Sequence, residues 1–466
     1  MPERRRPSTV REVVSWLADG IHAGVWPPEA KLPPERTMAS ELGVNRSTVA
    51  TAYSELQALG LVDRRQGSGT FVHGDFWGIS PDWSRYLDSA AFRPTQALVH
   101  RFREARRLSG IVDFTQADLG PGLWPRERIQ EALRGVDVGA TLDYMPAAGL
   151  PGLREAIASE MGRSQGIEVR PESILITTGA QQALYLIARA LLRPGQAIAL
   201  EEPSFYYSLA LFQSTGIRLL PIPMDDRGLL PDALEALVAR HRPAMVWLNP
   251  TYHNPTTTTL SLERRRAVLA LCRRWNLPII EDDAFGYLPV GGAPAPPPTL
   301  QALDGGERVI YIGTLSKVVA PGLRIGWIAA PGPIVERLAD VRGQIDLGQP
   351  GIVQALAAEM LTGTEWPEYL TSLGAKLRER RDAFMSAMRP LAAQGCSWPV
   401  PAGGLYVWLR FPDGMSDRTR LERAIAAGVV YAPGRVYGAP DGYARLNYLW
   451  ESPARIVEGL NRIAHL

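Results

Sequence analysis

The chain of 466 residues is long enough for about three domains of roughly 150 residues each. Hydrophobic residues make up 46% and charged residues 21%, which excludes a disordered chain and a small disulfide-stabilised scaffold. A net charge of +2 does not by itself predict a polyanionic partner. Because no apolar run reaches the roughly 18 residues of a membrane span and the basic start lacks the apolar region of a signal peptide, we expect a cytoplasmic protein with no membrane partner.

Two residue types are rare enough to be informative. The two cysteines, Cys272 and Cys396, are far apart and predict neither a disulfide framework nor a metal site. Only three of the 50 basic residues are lysines, namely Lys31, Lys317 and Lys376. Because the chain uses arginine almost everywhere else, the position of each lysine can be considered individually.

The N-terminal segment predicts three helices followed by a hairpin. Apolar residues recur with the helical period over residues 10–21, a second short helix follows Pro33, and Asn45 is a suitable N-cap for a third. Two short strands then flank the turn at residues 66–69. This is the order of a winged helix-turn-helix. Residues 1–110 carry 15 basic against 12 acidic side chains, which adds weak support for a nucleic-acid partner.

The first turn of the third helix contains Asn45, Arg46, Ser47 and Thr48, where a recognition helix meets base edges and phosphates. The pattern alone leaves open an ordinary three-helix bundle with a solvated arginine, or a winged helix used for protein contacts. Four segments narrow this choice because together they resemble the GntR-type winged-helix module: Lys31-Leu-Pro-Pro-Glu-Arg, Leu42-Gly-Val-Asn-Arg-Ser-Thr-Val, Ala52-Tyr-Ser-Glu-Leu and Gln66-Gly-Ser-Gly-Thr-Phe-Val.

The resemblance implies an operator-DNA interface. It places Arg36 and Arg46 against DNA, with Ser47 and Thr48 helping, and it places the wing tip at the minor groove. The wing tip consists of Gly67, Ser68 and Gly69. Many relatives have a further arginine where this chain has Ala50, so one base contact is expected to be lost or to move to Thr51.

The rest of the chain predicts a linker and a large α/β domain. We expect residues 1–75 to be the DNA-binding domain, residues 76–110 to be the linker, and residues 111–466 to be one domain with large and small subdomains. The small subdomain is expected to comprise roughly residues 365–466 with the segment 111–140. Short apolar runs alternate with helical stretches from residue 111 onward, which predicts a mainly parallel sheet covered by helices on both faces.

Ligands of such sheets bind beyond the carboxyl ends of the strands, and these ends have a distinctive chemistry here. Four segments follow predicted strands: Thr178-Gly-Ala-Gln-Gln, Asn249-Pro-Thr-Tyr-His-Asn-Pro-Thr, Glu281-Asp-Asp and Gly313-Thr-Leu-Ser-Lys. The first opens a helix and offers backbone N–H groups to an anion. An anion cradle, a carboxylate, an amide and one lysine suit an anionic aromatic cofactor held as an imine, since arginine cannot replace lysine in that chemistry.

These segments, with Glu202-Pro-Ser-Phe-Tyr and Tyr144-Met-Pro-Ala-Ala-Gly-Leu-Pro-Gly-Leu-Arg, resemble a fold-type I aminotransferase that uses pyridoxal 5′-phosphate (PLP). With the GntR-like head, the whole chain resembles the MocR/GabR family of transcription regulators. The resemblance implies that Lys317 forms the internal aldimine, that Asp282 pairs with the pyridinium nitrogen, that Asn254 bonds the ring hydroxyl and that Phe205 stacks on the ring.

The resemblance also implies how the phosphate and a ligand would be held. The phosphate group is expected to bind Gly179, Ala180, Gln181, Thr314, Ser316 and Arg324. Tyr144 is expected to reach the phosphate from a second subunit, which requires a homodimer, head-to-tail in arrangement. Arg445 is expected to bind the carboxylate of an amino-acid ligand.

Each position also has a plain structural interpretation that the sequence leaves open. Asp282 could cap a turn, Phe205 could be a core residue, Arg445 could pair with a surface acid, and Asn254 could serve only the turn before its proline. We interpret His253 as structural, because its neighbours already fill the cofactor roles.

One departure from the aminotransferase pattern bears on function. Where that pattern usually has a tyrosine whose hydroxyl bonds the ring oxygen, this chain has Phe285, and Tyr287 is the nearest hydroxyl in sequence. Loss of that donor is expected to raise the aldimine pKa and to favour holding a ligand over fast turnover.

Three functional hypotheses follow from the sequence. The leading one is a dimeric PLP-dependent transcription regulator that senses an amino compound or vitamin B6, with PLP itself as the vitamin form. The second is an active aminotransferase with a vestigial DNA-binding head, so the sequence leaves enzymatic activity open. The third is a winged-helix scaffold that binds proteins. Salt-dependent binding to DNA separates the first hypothesis from the other two.

Overall fold

The computed structural model describes residues 7–22, 24–65, 67–73 and 96–466. The chain divides into two compact units, residues 1–90 and residues 91–466. Most of the predicted linker, residues 76–95, lies outside the described residues, and the predicted domain boundaries therefore stay a prediction.

The first unit has the predicted order of a winged helix-turn-helix. Its elements are α1 (Val10–His22), α2 (Glu35–Leu42), α3 (Arg46–Ala58), β1 (Val62–Arg65) and β2 (Gly69–Val72). A capping box starts α1, because Glu12 accepts the backbone N–H of Thr9 and the Thr9 hydroxyl accepts the backbone N–H of Glu12. The strands β1 and β2 pair antiparallel as the wing. Asn45 precedes α3 as predicted, although its side chain makes no capping hydrogen bond.

The apolar faces of the three helices form one small core with the wing. Val13, Leu17, Val49, Leu56 and Val72 are among its buried side chains. This core explains the helical period of the sequence, since residues three and four positions apart lie on the same face of a helix. The opposite face of α3 is left exposed at its first turn.

The second unit begins with α4 (Ala97–Ala105) and continues as alternating strands and helices. Up to the end of the central sheet these are β3 (Val112–Asp113), α5 (Arg126–Gly135), α6 (Pro151–Gln165), β4 (Ile174–Thr177), α7 (Ala180–Leu191), β5 (Ala197–Glu202), α8 (Leu211–Ser214), β6 (Arg218–Asp225), β7 (Gly228–Leu229), α9 (Pro231–His241), β8 (Met245–Leu248), α10 (Leu262–Arg274), β9 (Ile279–Asp282), α11 (Leu300–Asp304), β10 (Val309–Thr314) and β11 (Gly326–Ala329).

The C-terminal part of the unit begins with α12 (Gly332–Gly343), whose Val335 and Leu338 pack in an apolar cluster of the central sheet. The elements that follow are α13 (Gly351–Thr362), α14 (Trp366–Ala387), α15 (Arg389–Ala393), β12 (Tyr406–Arg410), α16 (Asp417–Ala426), β13 (Val429–Val430), β14 (Ala432–Pro433), β15 (Tyr443–Asn447) and α17 (Pro453–Ile463). Strands β12, β15 and β14 form an antiparallel sheet, and β13 pairs with β3 from the start of the unit.

The central sheet has eight strands in the order β4-β11-β10-β9-β8-β5-β6-β7. The neighbours β10, β9, β8, β5 and β6 pair parallel, whereas β11 pairs antiparallel with both β10 and β4. The prediction of a mainly parallel sheet is confirmed. The segments after β4, β5, β8, β9 and β10 therefore meet at one edge of the sheet.

Alternation along the buried strands explains why both faces of this sheet are covered. In β8, Met245 and Trp247 join the apolar cluster on one face, whereas Val246 and Leu248 join the cluster on the other. Successive side chains of a strand point to opposite faces, so a strand buried on both sides reads as a continuous apolar run. Among the residues that the structure describes, no helix is both long enough and apolar enough to cross a membrane.

Candidate functional sites

A groove in the first unit collects basic side chains between α2, α3 and the wing. Its volume is about 800 Å³, and five cationic residues line it: Lys31, Arg36, Arg46, Arg64 and Arg65. The wing residues Gly67, Ser68 and Gly69 line the same groove. Gly69 has a φ of +114°, and a Cβ there would lie 2.7 Å from the Lys31 side chain, so the close approach of lysine and wing requires glycine.

One acidic residue organises two of these arginines. Glu35 accepts a hydrogen bond from Arg46 Nε at 3.2 Å and from Arg64 Nη2 at 2.7 Å. Arg46 remains largely exposed despite this contact. Ser47 is exposed and Thr48 is half-buried on the first turn of α3, and neither lines the groove. The structure thus brings Arg36, Arg46 and the wing tip together, and it adds Lys31, Arg64 and Arg65, which the motif argument missed.

A second cavity, of about 130 Å³, lies at the carboxyl edge of the central sheet. Predicted residues from the ends of five strands, β4, β5, β8, β9 and β10, line it, together with several that were not predicted. Its lining comprises Ala117, Ala180, Gln181, Leu184, Ser204, Phe205, Tyr206, Asn249, Asn254, Asp282, Ala284, Phe285, Thr314, Ser316, Lys317, Arg324 and Tyr406.

Lys317 follows β10 and presents its amine inside this cavity. Lys317 Nζ donates a hydrogen bond to the carbonyl oxygen of Ala117 at 2.7 Å. Burial lowers the pKa of Lys317 to about 8, against the opposing effect of the Asp118 carboxylate and with the help of the positive charge of Arg445. A lowered pKa increases the share of neutral amine, which is the nucleophilic form.

Asp282 ends β9 and is buried beside the same cavity. Tyr206 donates its hydroxyl to Asp282 Oδ2 at 3.1 Å, and Asn249 Nδ2 donates to the backbone carbonyl of Asp282 at 2.6 Å. The other carboxylate oxygen, Oδ1, has no hydrogen-bond partner among the described residues. Burial raises the pKa of Asp282 to about 6, although the hydrogen bond from Tyr206 opposes this shift. A buried oxygen in this position can accept a hydrogen bond from a molecule bound in the cavity.

The start of α7 and the segment after β10 form an anion cradle. Gly179 precedes α7 with a φ of +77°, and a Cβ there would lie 2.5 Å from Arg324 Nη2. Arg324 donates to the Ser316 hydroxyl at 3.4 Å and to the carbonyl of Thr178 at 2.9 Å. The Thr314 hydroxyl lies 3.1 Å from that of Ser316. Backbone N–H groups at a helix start, two hydroxyls and a guanidinium are suited to a phosphate group.

Asn254 and Arg445 are joined at the side of the cavity. Arg445 Nη1 donates to Asn254 Oδ1 at 3.0 Å, and Arg445 Nη2 donates to the carbonyl of Thr115 at 3.0 Å. Arg445 is buried and is not itself among the lining residues, although it contacts two of them, Asn254 and Tyr406. Phe205 lines the cavity and is half-buried.

Tyr144 lies outside the cavity of its own chain. Its side chain is 79% exposed, on a surface that it shares with Leu142, Leu347 and Ile352. Its predicted role across a subunit boundary stays a prediction.

Two residues that the sequence analysis considered, Tyr287 and His253, lie outside the cavity lining. Phe285 lines the cavity, whereas Tyr287 does not and instead packs edge-on against Trp366 at 6.4 Å. His253 is buried with Nε2 3.5 Å from Glu201 Oε2, and burial lowers the pKa of His253 to about 3, so the imidazole is neutral. It does not line the cavity.

Three lining residues, Tyr206, Asn249 and Tyr406, were not predicted from the sequence. Tyr206 and Asn249 lie in the strand-end segments that contain Phe205 and Asn254, and this position was the only signal for them. Tyr406 comes from β12, about 120 residues after Asp282, and no local signal indicates it. Asn249 also organises the neighbouring segment, because Asn249 Oδ1 accepts the backbone N–H of Asn254 at 2.7 Å.

The donor set of this cavity fits PLP. The anion cradle matches a phosphate group, the unpartnered Asp282 oxygen matches a protonated pyridine nitrogen, and the amine of Lys317 matches an aldehyde. Asn254 is available at the side of the cavity for a ring hydroxyl. In each case the atom that would bind PLP either has no partner or is hydrogen-bonded only to neighbouring residues of this chain.

Comparison with known proteins supports the same division of the chain. The family described as aminotransferase class I and II matches residues 118–463, and the family described as bacterial regulatory proteins, gntR family, matches residues 9–72. The chain is 35% identical over 97% of its length to an uncharacterized HTH-type transcriptional regulator, YisV, from Bacillus subtilis (strain 168), and the match covers 95% of that protein.

The chain is also similar in sequence and structure to aminotransferases. Aromatic-amino-acid aminotransferase 1 from Thermococcus litoralis is 30% identical over 82% of this chain and 94% of its own. The crystal structure of LysN, the α-aminoadipate aminotransferase from Thermus thermophilus complexed with N-(5′-phosphopyridoxyl)-L-leucine, superposes with a TM-score of 0.75 at 31% identity. That match covers 82% of this chain and 97% of LysN. The chain thus belongs to the aminotransferase class I and II family and, with its GntR-type head, to the MocR/GabR family of fusion proteins.

Proposed function

We propose that this protein is a PLP-dependent transcription regulator that binds operator DNA through its first unit and senses an amino compound, or PLP itself, through its second. The observation that carries the proposal is that one chain contains both a basic groove suited to DNA and a cavity suited to PLP. The head has a groove with five cationic side chains, and the large unit has a cavity with an amine and an unpartnered carboxylate oxygen. The relative YisV, named a transcriptional regulator, matches nearly the whole chain.

The first unit supplies the DNA contacts. Arg36 and Arg46 are the residues for base or phosphate contact, and the wing tip at Gly67–Gly69 reaches the minor groove. Lys31, Arg64 and Arg65 add positive charge to the same groove. Each phosphate neutralised by such a side chain makes binding more sensitive to salt, because counterions are released.

PLP is the cofactor of the second unit. When bound, it supplies an electron sink and an aldehyde that joins reversibly to amines. Lys317 would hold it through Nζ, Asp282 would keep the ring nitrogen protonated, and the cradle of Gly179, Ser316 and Arg324 would bind the phosphate. Ala180, Gln181 and Thr314 would complete that cradle, and Phe205 would contact the ring.

Where the effector is an amino compound, its carboxylate is the group that Arg445 would bind. Arg445 is buried with its Nε unpartnered among the described residues, and it lies next to Asn254 and Tyr406 at the edge of the cavity. A buried guanidinium is stabilised by an anionic partner, since an unpaired buried charge is costly. A ligand carboxylate at Arg445 would place the ligand amine near Lys317.

A homodimer with a head-to-tail arrangement completes the site. Tyr144 is the residue that contributes to the partner's phosphate site, and its surface carries several exposed apolar side chains in one concavity, Leu142, Leu347 and Ile352. Soluble proteins rarely leave such apolar surface open to water unless it is covered by a partner. The dimer also fits the need of a winged-helix protein for two half-sites at a fixed spacing.

Helix α4 is the element that transmits the ligand signal toward the linker. Its residues Val99 and Phe102 share an apolar cluster with Trp408 and Tyr437. The guanidinium of Arg445 lies over the ring of Tyr437, 5.0 Å from its centroid. A movement of Arg445 toward a ligand therefore acts on the cluster to which α4 is attached.

A binding titration tests the proposal. Labelled DNA from directly upstream of the gene is titrated with the protein at several salt concentrations, without additions, with PLP, and with PLP plus individual amino acids. We expect binding that weakens steeply with salt and an affinity that changes about 5- to 150-fold with a ligand. Multiple turnovers on a keto-acid acceptor without any ligand effect on DNA affinity would favour the second candidate, an aminotransferase with a vestigial head. That candidate is supported by the completeness of the Lys317 cavity.

A further inference from the structure

Tyr406 reaches the cavity from β12, a strand of the small antiparallel sheet. Its side chain lines the cavity together with Lys317, Asn254 and Phe285. It is only 1% exposed, yet its hydroxyl oxygen has no hydrogen-bond partner among the residues that the structure describes. Buried hydroxyls in folded proteins are almost always hydrogen-bonded. Four other buried tyrosine hydroxyls also lack a partner among the described residues, but none of those tyrosines lines the cavity, so Tyr406 is the one whose partner a bound molecule can supply.

Two neighbouring side chains pack against the ring of Tyr406. The guanidinium carbon of Arg445 lies 4.1 Å from the ring centroid, and the ring of Phe285 packs against it edge to face at 5.8 Å and 75°. A tyrosine held in this way loses little conformational freedom when its hydroxyl gains a partner. Burial raises the pKa of Tyr406 although Arg445 opposes this, so the hydroxyl is protonated at neutral pH and can donate.

The other tyrosine hydroxyls near the cavity are committed or elsewhere. Two tyrosines, Tyr206 and Tyr406, are among the described lining residues, and Tyr206 already donates to Asp282. Tyr287, the nearest hydroxyl in sequence to Phe285, packs against Trp366 outside the cavity. Tyr406 is therefore the tyrosine whose donor is free beside the hydroxyl-free side chain of Phe285.

We propose that the Tyr406 hydroxyl donates a hydrogen bond to an anionic oxygen of the molecule held in the cavity. This inference rests on the proposed function, because it requires PLP at Lys317. The same chemistry is offered by two oxygens, the phenolic ring oxygen of PLP and the carboxylate of an amino-acid ligand. In the first case Tyr406 supplies from β12 the donor that Phe285 lacks after β9.

The test uses the absorbance of the PLP-loaded protein, which changes with pH as the nitrogen that joins the cofactor to Lys317 loses its proton. A donor to the ring oxygen makes that oxygen less basic and so weakens its hold on the shared proton. Tyr406→Phe is therefore expected to raise the midpoint of the titration by about one pH unit, as loss of a hydrogen bond to a charged oxygen implies. Tyr287→Phe is the matched control and should leave the midpoint unchanged.

A double variant provides the rescue. Phe285→Tyr in the Tyr406→Phe background restores a hydroxyl beside the cavity and should return the midpoint toward that of the parent protein. Borohydride reduction followed by mass spectrometry of the Lys317 peptide verifies that each variant is loaded with PLP. If the parent protein carries no reducible PLP, the proposed function fails, and that outcome is separate from the outcomes for Tyr406.

The amino-acid arm distinguishes the two oxygens. The dissociation constants of L-alanine and L-glutamate are measured from the spectra of the loaded variants. A shifted midpoint without any amino acid identifies the ring oxygen, whereas an unshifted midpoint with binding of both amino acids weakened at least fivefold identifies the ligand carboxylate. If Tyr406→Phe matches Tyr287→Phe in both the midpoint and the two dissociation constants, the proposal is overturned.

Discussion

The rate at which the apoprotein captures PLP should depend on pH through the lowered pKa of the buried Lys317 amine. The pKa of Lys317 is lowered by burial from the usual 10.5 to about 8. At pH 7 about one amine in ten is then neutral, compared with roughly one in three thousand for an ordinary lysine. Since only the neutral amine attacks an aldehyde, capture at pH 7 is expected to be faster than capture by an unperturbed amine of equal access, by at most about 300-fold, because an amine of lower pKa is also a weaker nucleophile.

Stopped-flow absorbance between pH 6 and pH 10 measures this rate. Below pH 8 the rate should rise about tenfold per pH unit, and above pH 8 it should level off, because the neutral fraction saturates as pH passes the lowered pKa. The same measurement with a free alkylamine gives the titration of PLP itself. Lys376→Arg, at an exposed lysine, should leave the profile unchanged, and Lys317→Ala should abolish borohydride-trapped PLP. A rate that keeps rising tenfold per unit beyond pH 9 would refute the assignment of a desolvated Lys317.

Two further predictions concern the DNA-binding surface and its coupling to the ligand. Arg46→Ala and Arg36→Ala are each expected to weaken operator binding about tenfold at fixed salt, measured by fluorescence anisotropy, while PLP binding stays intact and Arg11→Ala on the exposed face of α1 has little effect. Unchanged affinity in both variants would count against the recognition-helix placement. Arg101 of α4 donates two hydrogen bonds to Glu422 at 2.7 and 2.6 Å, and both side chains are partly exposed. Arg101→Ala should cost less than about 1 kcal/mol of unfolding free energy yet reduce the ligand-dependent change in DNA affinity, and an undiminished ligand effect would remove α4 from the pathway.

Much of the architecture could be predicted because local patterns determine it. The apolar runs at β4, β8 and β10 were bounded by turn residues, and parallel strands necessarily end at one edge of their sheet. That geometry brought Lys317 and Asp282 together from segments that are distant in sequence. Their individual roles remain predictions, which the titration and capture experiments address.

What could not be predicted depends on pairing between distant segments. Strand β11 lies antiparallel between β4 and β10, a placement that no periodicity specifies. Tyr406 lines the cavity from β12, which pairs with β15 at a register that puts Trp408 opposite Arg445. The register between distant strands depends on how whole surfaces pack. Sequence motifs therefore indicate the residues beside them but do not indicate Tyr406.

In the head, the same reasoning explains the missed cations. Arg64 donates a hydrogen bond in the groove to Glu35, which lies 29 residues earlier in the chain. The Lys31 side chain packs closely against Gly69 of the wing. Neither contact follows from the helix pattern, because each links an element to a loop or strand that the pattern treats separately.

Sensing and turnover make opposite demands on the Lys317 cavity. A regulator needs occupancy to follow the concentration of its effector, which requires that the bound molecule leave unchanged or slowly, whereas an enzyme gains from fast conversion and release. The regulatory effect of any ligand is bounded by its differential affinity for the two arrangements of the protein, typically about 1–3 kcal/mol. Arg445 lies over Tyr437, and Tyr437 shares a cluster with α4. If the proposed function is correct, we expect the free energy of binding a carboxylate to reach α4 through these contacts without any chemical step. A regulator of the proposed kind has to bind its ligand differently in two arrangements, and it does not have to convert that ligand.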